Sequence, residues 1–456
     1  MELFLCIIYA VEKIQQKETS FSRVLGGEKM NDKINYFIYT YGDMRLGGIQ
    51  RIIYENVKLY LSKGWQVIWI VPKKQFVEKG FRSVINSDTI QIMNNDEVRA
   101  FFEKKSNLCE INIYAISFDF GSFILNSNIG KKINNSKFSN VFIVPNVLGS
   151  GVKFNEEGNE AEYLFVQSVY KKMLDNGNIL FCNQAQYTAF INYYNLNHND
   201  ASKLLIPINR KIDKFDIEMV NKRYLCNEII TVSRFDFPHK GYLIGLIDSF
   251  KKIKKKYPDL VLTIIGYGND ENKLREKISK LDSSVSKSIT IEGAVSSDRL
   301  NTYFAKAKVF VGLAGAVSDA VSTGLPSIIV RQFTMNCEAY GFYQECPEKL
   351  VCEEPGKSID DFLTYVFDLE RKEYLAISKD GYEAYMRYVK SRGSNTFDNK
   401  VTPIKNNILN EKEIKICNSI FCRYISRRKR ARNIMYLKNP LYHIKRLVKR
   451  YFNGNL

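Results

Sequence analysis

The 456-residue chain is poor in histidine, with three, and its nine cysteines include no C-x-x-C pair. The cysteines stand at positions 6, 109, 182, 226, 337, 346, 352, 417 and 422. An odd count without paired spacing gives neither a disulfide framework nor a zinc cluster. His198, His239 and His443 are too scattered for a His-rich metal site, so no metal is expected. A reducing compartment is the natural expectation. No stretch approaches the ~18 consecutive apolar residues of a spanning helix, which excludes a polytopic membrane protein. The apolar run Leu3 to Val11 is short, has no basic leader and is followed by charged residues, so it does not read as a signal peptide. Met30 stands just before the first good strand and is the expected start, leaving 1–29 as an unassigned extension.

Acidic residues are missing from one place in particular. Between Ile414 and Leu456 there are twelve Lys or Arg and no Asp or Glu, out of a formal charge of +18 for the whole chain. Residues 1–413 therefore carry only +6, and the excess is mostly a property of the C-terminal segment. With 45% apolar and 25% charged residues the body has an ordinary globular composition, enough to bury a sizeable core.

What is present is alternation. Strand patterns at Ile34 to Tyr41, Trp65 to Val71, Asn112 to Phe118, Asn140 to Pro145, Asn178 to Cys182 and Lys203 to Ile208 form a first series. Ile49, Ile52, Ile53, Val57 and Leu61 recur at helical spacing between the first two. A second series opens with Glu228 to Ser233. It continues through a helix from about Tyr242 to Lys256, a strand at Leu260 to Gly266 and a helix over Glu271 to Leu281. The strands SITIEG, KVFVGL and PSIIV, a short helix near Val317 to Thr323 and helices from Ile359 to Tyr388 complete it. The pattern predicts an α/β fold of two doubly wound Rossmann-like domains, at 30–222 and 223–400, followed by a basic helical tail at 401–456.

Four segments carry candidate chemistry. Gly47 and Gly48, in GGIQR between a strand and a helix, let backbone approach a ligand and offer helix N-terminal amides to an anion; a tight turn without a ligand fits equally. Arg234 and Lys240, in ITVSRFDFPHKGY, flank a loop at a strand's C-terminal end, where open α/β sheets bind ligands. A guanidinium with a nearby ammonium suits a diphosphate, against the plainer reading of two solvated cations; His239 beside them reads as merely exposed. Gly312 and Gly315 lie in a small-residue loop before a helix bearing Asp319, which suits phosphate and ribose or simply close packing. Gly266 and Gly268 fall short of the three-glycine dinucleotide fingerprint, so a nicotinamide cofactor is not expected.

In order and spacing these pieces resemble the family 4 glycosyltransferases, retaining enzymes of GT-B architecture. The residues concerned are Gly47 and Gly48; Arg234, Lys240 and Gly241; Gly266 and Gly268; Gly293 with Val295; and Asp319 five positions before Gly324. IPINRKID (Ile206 to Asp213) is similar to the family's IPNGVD stretch. The resemblance spans about 34–390 and is strongest in the second domain. It implies two domains facing across a cleft and a nucleotide-diphosphate sugar as donor, with no other cofactor. Arg234 and Lys240 would clamp the diphosphate as the catalytic pair. Gly315, Ala316 and Val317 would add backbone amides, Asp319 would meet the ribose, and Gly293 to Val295 would border the base. A glycan or lipid-linked acceptor would enter near Gly47, Gly48 and Asp119, the last standing in for a family histidine this chain lacks. The family's first paired acidic residue is replaced by Val311, which leaves open an inactive transferase-like partner or scaffold as the alternative function.

In the tail, ISRRKRAR (Ile425 to Arg432) is a dense basic patch. From Asn439, Leu441, Ile444, Val448 and Tyr451 line one face of a predicted helix. Arg427, Arg428, Lys429, Arg430, Lys445, Arg446, Lys449 and Arg450 then suit an anionic membrane surface. The competing expectation is a helix whose apolar face packs on the first domain. No nucleic-acid module accompanies these charges. Together these readings describe a cytoplasmic glycosyltransferase, peripheral at the inner face of the membrane, in surface polysaccharide synthesis.

Overall fold

A computed structural model describes residues 34–40, 48–71, 90–131, 133, 136–144, 160–198, 204–206, 212–295, 297–392 and 409–438. The chain divides into two compact units, one of 1–206 with 397–456 and one of 207–396.

The first unit begins with β1 (Ile34–Thr40), α1 (Gly48–Ser62), β2 (Gln66–Ile70), β3 (Ile90–Met93), α2 (Asn95–Ser106) and β4 (Ile111–Ser117). It continues with α3 (Phe120–Gly130), β5 (Ser136–Val144), α4 (Glu160–Asp175), β6 (Ile179–Phe181) and α5 (Gln184–Tyr193). Its six strands are parallel in the order β3-β2-β1-β4-β5-β6. This is the dinucleotide-fold order, whose direction of winding reverses between β1 and β4. Successive residues of β1 supply both faces: Phe37 and Tyr39 enter one core cluster, Tyr36 and Ile38 the other. Burial on both sides is why these strands read as continuous apolar runs. The strand expected at Lys203 to Ile208 is reduced, in its described part, to an isolated bridge between Leu205 and Phe181.

The second unit contains α6 (Ile217–Tyr224), β7 (Glu228–Arg234), α7 (Tyr242–Ile253), β8 (Val261–Tyr267), α8 (Glu271–Ser279), α9 (Ser283–Ser286) and β9 (Ile289–Glu292). These lead into α10 (Ser297–Phe304), β10 (Val309–Gly312), α11 (Gly315–Val321), β11 (Ser327–Val330), β12 (Glu338–Phe342), β13 (Lys357–Ser358), α12 (Ile359–Asp368) and α13 (Arg371–Ser391). The sheet order is β13-β12-β11-β10-β7-β8-β9, parallel from β11 to β9, with the last two strands added antiparallel. The winding reverses again, between β7 and β10. Ile229, Ile264, Val309 and Ile328 line one side of this sheet, and Ile230, Ile265, Phe310 and Ile329 the other.

Two boundaries differ from the sequence expectation. The segment before β7 belongs to the second unit, and α6 fixes it there. Arg223, fully buried, donates from Nε to Phe304 O at 2.9 Å and from Nη1 to Thr323 O at 2.7 Å. Arg371 Nε donates to Asn221 Oδ1 at 2.9 Å.

The second difference is in the tail, where α14 (Glu411–Lys438) returns to the first unit. Leu409, Ile414, Cys417, Ile420 and Tyr424 are buried in a cluster with Phe120, Phe123, Tyr170 and Phe190. Gly121 leaves room for the Phe421 ring, since a Cβ there would lie 2.3 Å from it. Asn410 and Glu413 cap the helix reciprocally. Ion pairs Lys172–Glu413 (3.1 Å) and Arg423–Glu162 (2.8 Å) flank the seam. Within the expected free tail, the described stretch 409–424 therefore contributes to the core. Arg427, Arg428, Lys429 and Arg430 lie on the second half of the same helix, whereas Lys445, Arg446, Lys449 and Arg450 fall outside the described residues. No described helix is long and apolar enough to cross a membrane.

Candidate functional site

The second unit's switch point lies at the carboxyl ends of β7 and β10, the place where open α/β sheets take ligands. Arg234 is the last residue of β7, and Lys240 lies in the turn that leads through Gly241 into α7. The intervening loop is clamped from several directions. Phe235 N–H donates to Tyr267 O at 2.9 Å, Asp270 N–H to Phe235 O at 3.0 Å, and Phe237 N–H to Asp270 Oδ2 at 2.8 Å. The approach of β8 is so close that a Cβ on Gly266, at φ +149°, would sit 1.8 Å from Ser233 O. In this setting the Gly266–Gly268 strand end serves to hold the cation loop.

Arg234 and Lys240 influence each other electrostatically, yet neither side chain makes a hydrogen bond or ion pair among the described residues. Burial of its ammonium, and then the positive Arg234, pull Lys240 down to about 7, against the pull of Asp236. Burial is also the main cause that lowers His239 to about 4, with Lys240 adding to it. The imidazole is thus neutral at physiological pH, and the positive charge of the loop rests on Arg234 and on a part-protonated Lys240. Two cations brought together on one loop, with no hydrogen bond or ion pair to either among the described residues, have the chemistry that suits an anion with two negative centres.

The sign of the proton linkage follows. Lys240 has a folded pKa below its unfolded value of 10.5. The cost of its buried charge is fully present below pH 7 and is relieved as pH rises from about 7 toward 10.5. A bound dianion reverses this by favouring the ammonium. Binding above pH 7 is therefore expected to be accompanied by net proton uptake at Lys240. Calorimetry in two buffers of different ionisation enthalpy measures this uptake, and Lys240→Met should abolish it.

The loop after β10 is short. Leu313 and Ala314 alone separate β10 from α11, and Ala314 takes φ +57°, a costly conformation for alanine. Val317 N–H already donates to Ala314 O at 3.1 Å, so its amide is committed, contrary to the expected grip. Gly315 faces open space, with no heavy atom within 4 Å of an added Cβ. Asp319 is buried within α11 at 6% exposure. Val311 is fully buried inside β10, paired in register with Ile328. The position where the resemblance expects an acidic residue is thus strand interior, which explains its apolar identity. Gly293 is exposed just beyond β9, and Val295 packs partly into the core.

In the first unit, Asp119 follows β4 on the switch-point edge, but its carboxylate caps α3. Oδ1 accepts from Ser122 N at 2.8 Å and Oδ2 from Ser122 Oγ at 2.7 Å. Both oxygens being engaged, the residue acts as a helix cap rather than as a free polar group at the site. Gly48 opens α1, and Gly47 lies outside the described residues.

The sequence reading missed the segment 331–337, which joins β11 to β12 and meets the cation loop. Phe333 N–H donates to His239 O at 3.2 Å, and the two rings stack at 4.7 Å and 25°. Gly241 permits this contact: a Cβ there would lie 2.5 Å from Thr334 O. An apolar residue just past a strand was the only signal available, and it carries no pairing information across ninety-odd positions.

Two doubly wound units of this kind in one chain match the fold of GT-B glycosyltransferases. Residues 217–380 match the family described as Glycosyl transferases group 1, so the second unit carries a domain of that group. No curated protein matches the chain. Among solved structures it is similar to a glycosyltransferase from Rickettsia africae ESF-5, with 14% identity and a TM-score of 0.52 over 85% of this chain and 98% of that one. A variant of S. aureus TarM in complex with Fondaparinux, alpha-GlcNAc-glycerol and UDP matches at 10% identity and TM-score 0.50, over 85% and 99%. Trehalose-6-phosphate synthase OtsA matches at 11% and 0.51, over 81% and 100%.

Proposed function

We propose that the protein is a retaining glycosyltransferase that moves a sugar from a nucleoside-diphosphate donor to a glycan or lipid-linked acceptor in surface polysaccharide synthesis. The observation that carries this reading is the juxtaposed Arg234–Lys240 pair, neither hydrogen-bonded nor ion-paired among the described residues, at the switch point of a group 1 domain. In the proposed reaction the bond between the anomeric carbon and the phosphate oxygen breaks as a bond to the acceptor oxygen forms on the same face. Charge builds on the departing diphosphate, where Arg234 and Lys240 neutralise it. The acceptor's proton passes to an oxygen of that diphosphate. Gly315 and Ala316 contribute amides, Asp319 meets the ribose and Gly293 to Val295 border the base; the acceptor is taken by the first unit near Gly47 and Gly48. The two side chains supply the positive charge, and no cofactor enters. That the TarM complex contains UDP supports a uridine nucleotide as the first donor to try. The test is turnover of UDP-, GDP- and dTDP-sugars with lipid-linked acceptors. Donor binding without transfer to any acceptor, together with stable co-purification of another transferase, would favour the inactive-partner reading instead.

The proposal also places the protein on the cytoplasmic face of an anionic membrane, through the far half of α14 and the residues after it. Stopping the chain after Ser426 removes ten of the twelve tail cations and leaves the buried residues 409–424 in place. At ~1 kcal/mol per cation near such a surface, the loss should abolish sedimentation with phosphatidylglycerol vesicles. Undiminished sedimentation would remove the membrane assignment.

A further inference from the structure

Beside the cation loop, the segment 331–337 presents Phe333 at 50% and Met335 at 45% exposure. Phe333 adopts φ +55°, a backbone region that a bulky residue enters only under constraint. The constraints are visible. Arg331 N–H donates to Glu338 O at 2.9 Å, Gln332 N–H to Cys352 O at 3.0 Å, and Gln332 Nε2 to Glu353 Oε1 at 3.1 Å. Asn336 N–H donates to Thr334 Oγ1 at 3.1 Å. One ring face of Phe333 is covered by His239, and the residue remains half exposed. A glycine would fit this backbone at less cost, so the ring is held where it is against a local preference.

Topology says what this ring is near. Arg234 ends β7; β8 and β9, with Gly293 to Val295 beyond, lie to one side, and β10 and β11 to the other. A donor laid across the β7 end with its base toward Gly293 to Val295 directs the group on its far phosphate toward β10 and β11. Phe333 follows β11 and touches the residue before Lys240. Val311, buried in β10, supplies no polar contact on that side. We propose that Phe333 determines donor specificity, its exposed ring packing on a C–H face of the transferred glycosyl ring while His239 backs it. This rests on the reading that Arg234 and Lys240 hold the donor's diphosphate.

The test compares free nucleoside diphosphates with their hexose conjugates by titration calorimetry, using UDP, GDP and dTDP with glucose, galactose, mannose or N-acetylglucosamine attached. Phe333→Gly suits the backbone, so its melting temperature should not fall. It should leave the affinity for the free diphosphate within about 2-fold and weaken that for the conjugate by about 3- to 10-fold, with Phe333→Tyr restoring it. Equal weakening of both ligands, no weakening of either, or a defect confined to the acceptor's KM overturns the assignment. If neither ligand class binds the unaltered protein, the diphosphate reading falls and this inference with it. If the free diphosphates bind and depend on Lys240 while the conjugates are indifferent to Phe333, only the inference falls.

Discussion

Arg234→Ala and Lys240→Ala are each expected to lower kcat/KM for the nucleotide sugar by about 10²–10³-fold, the range seen when one preorganised charge-stabilising group is removed. Neither side chain makes a hydrogen bond or ion pair among the described residues, so neither change should disturb the fold. Lys240 makes the sharper case. Holding its ammonium out of water beside Arg234 costs the unliganded protein stability, as its lowered pKa of about 7 reports. Lys240→Met is therefore expected to stabilise the protein by on the order of 1–2 kcal/mol while kcat/KM falls by the same ~10²–10³-fold. Thermal melts and steady-state kinetics on the same preparation check both halves. A Lys240→Met protein that is less stable yet active would show that the ammonium serves packing.

The second large effect concerns α14. Stopping the chain after Ile408 removes Leu409, Ile414, Cys417, Ile420 and Tyr424 from the first unit's core. At ~1.5–3 kcal/mol per buried apolar side chain, the loss is on the order of 10 kcal/mol, comparable to the whole stability of a domain. The first unit should not fold, as read by loss of its cooperative melt and by rapid proteolysis. The chain ending at Ser426 should instead melt within about 3 °C of the full chain. If the two truncations behave alike, the packing of α14 contributes little.

Much of this was legible in the sequence because the sheets are parallel and buried on both faces. Runs such as IIT in β7 and VFV in β10 have no polar alternation to confuse them, and the strand–loop–helix joints carry the site residues. The short strands at or next to the sheet edges were not legible: β3, β12 and β13 have only two to five residues each, and none is a continuous buried run. The role of α14 was obscured by its charge. The twelve cations suggested a free basic tail, although Ile414, Cys417, Phe421 and Tyr424 already stood at helical spacing. Asp119 was read for its carboxylate, but the Ser122 that occupies both oxygens lies three positions on, as a cap requires. The contact of Phe333 with His239 joins loops distant in sequence, and no local pattern encodes it.

The central claim is that Arg234 and Lys240 hold the diphosphate of a nucleotide sugar. Its most direct test is titration calorimetry of the full chain with UDP, GDP and dTDP at pH 7.5, repeated on an Arg234→Ala, Lys240→Ala double variant. Saturable binding of at least one diphosphate to the unaltered protein, lost in a double variant that melts normally, is the predicted result. Binding of equal strength to the double variant, or of none of the three to the unaltered protein, would contradict it.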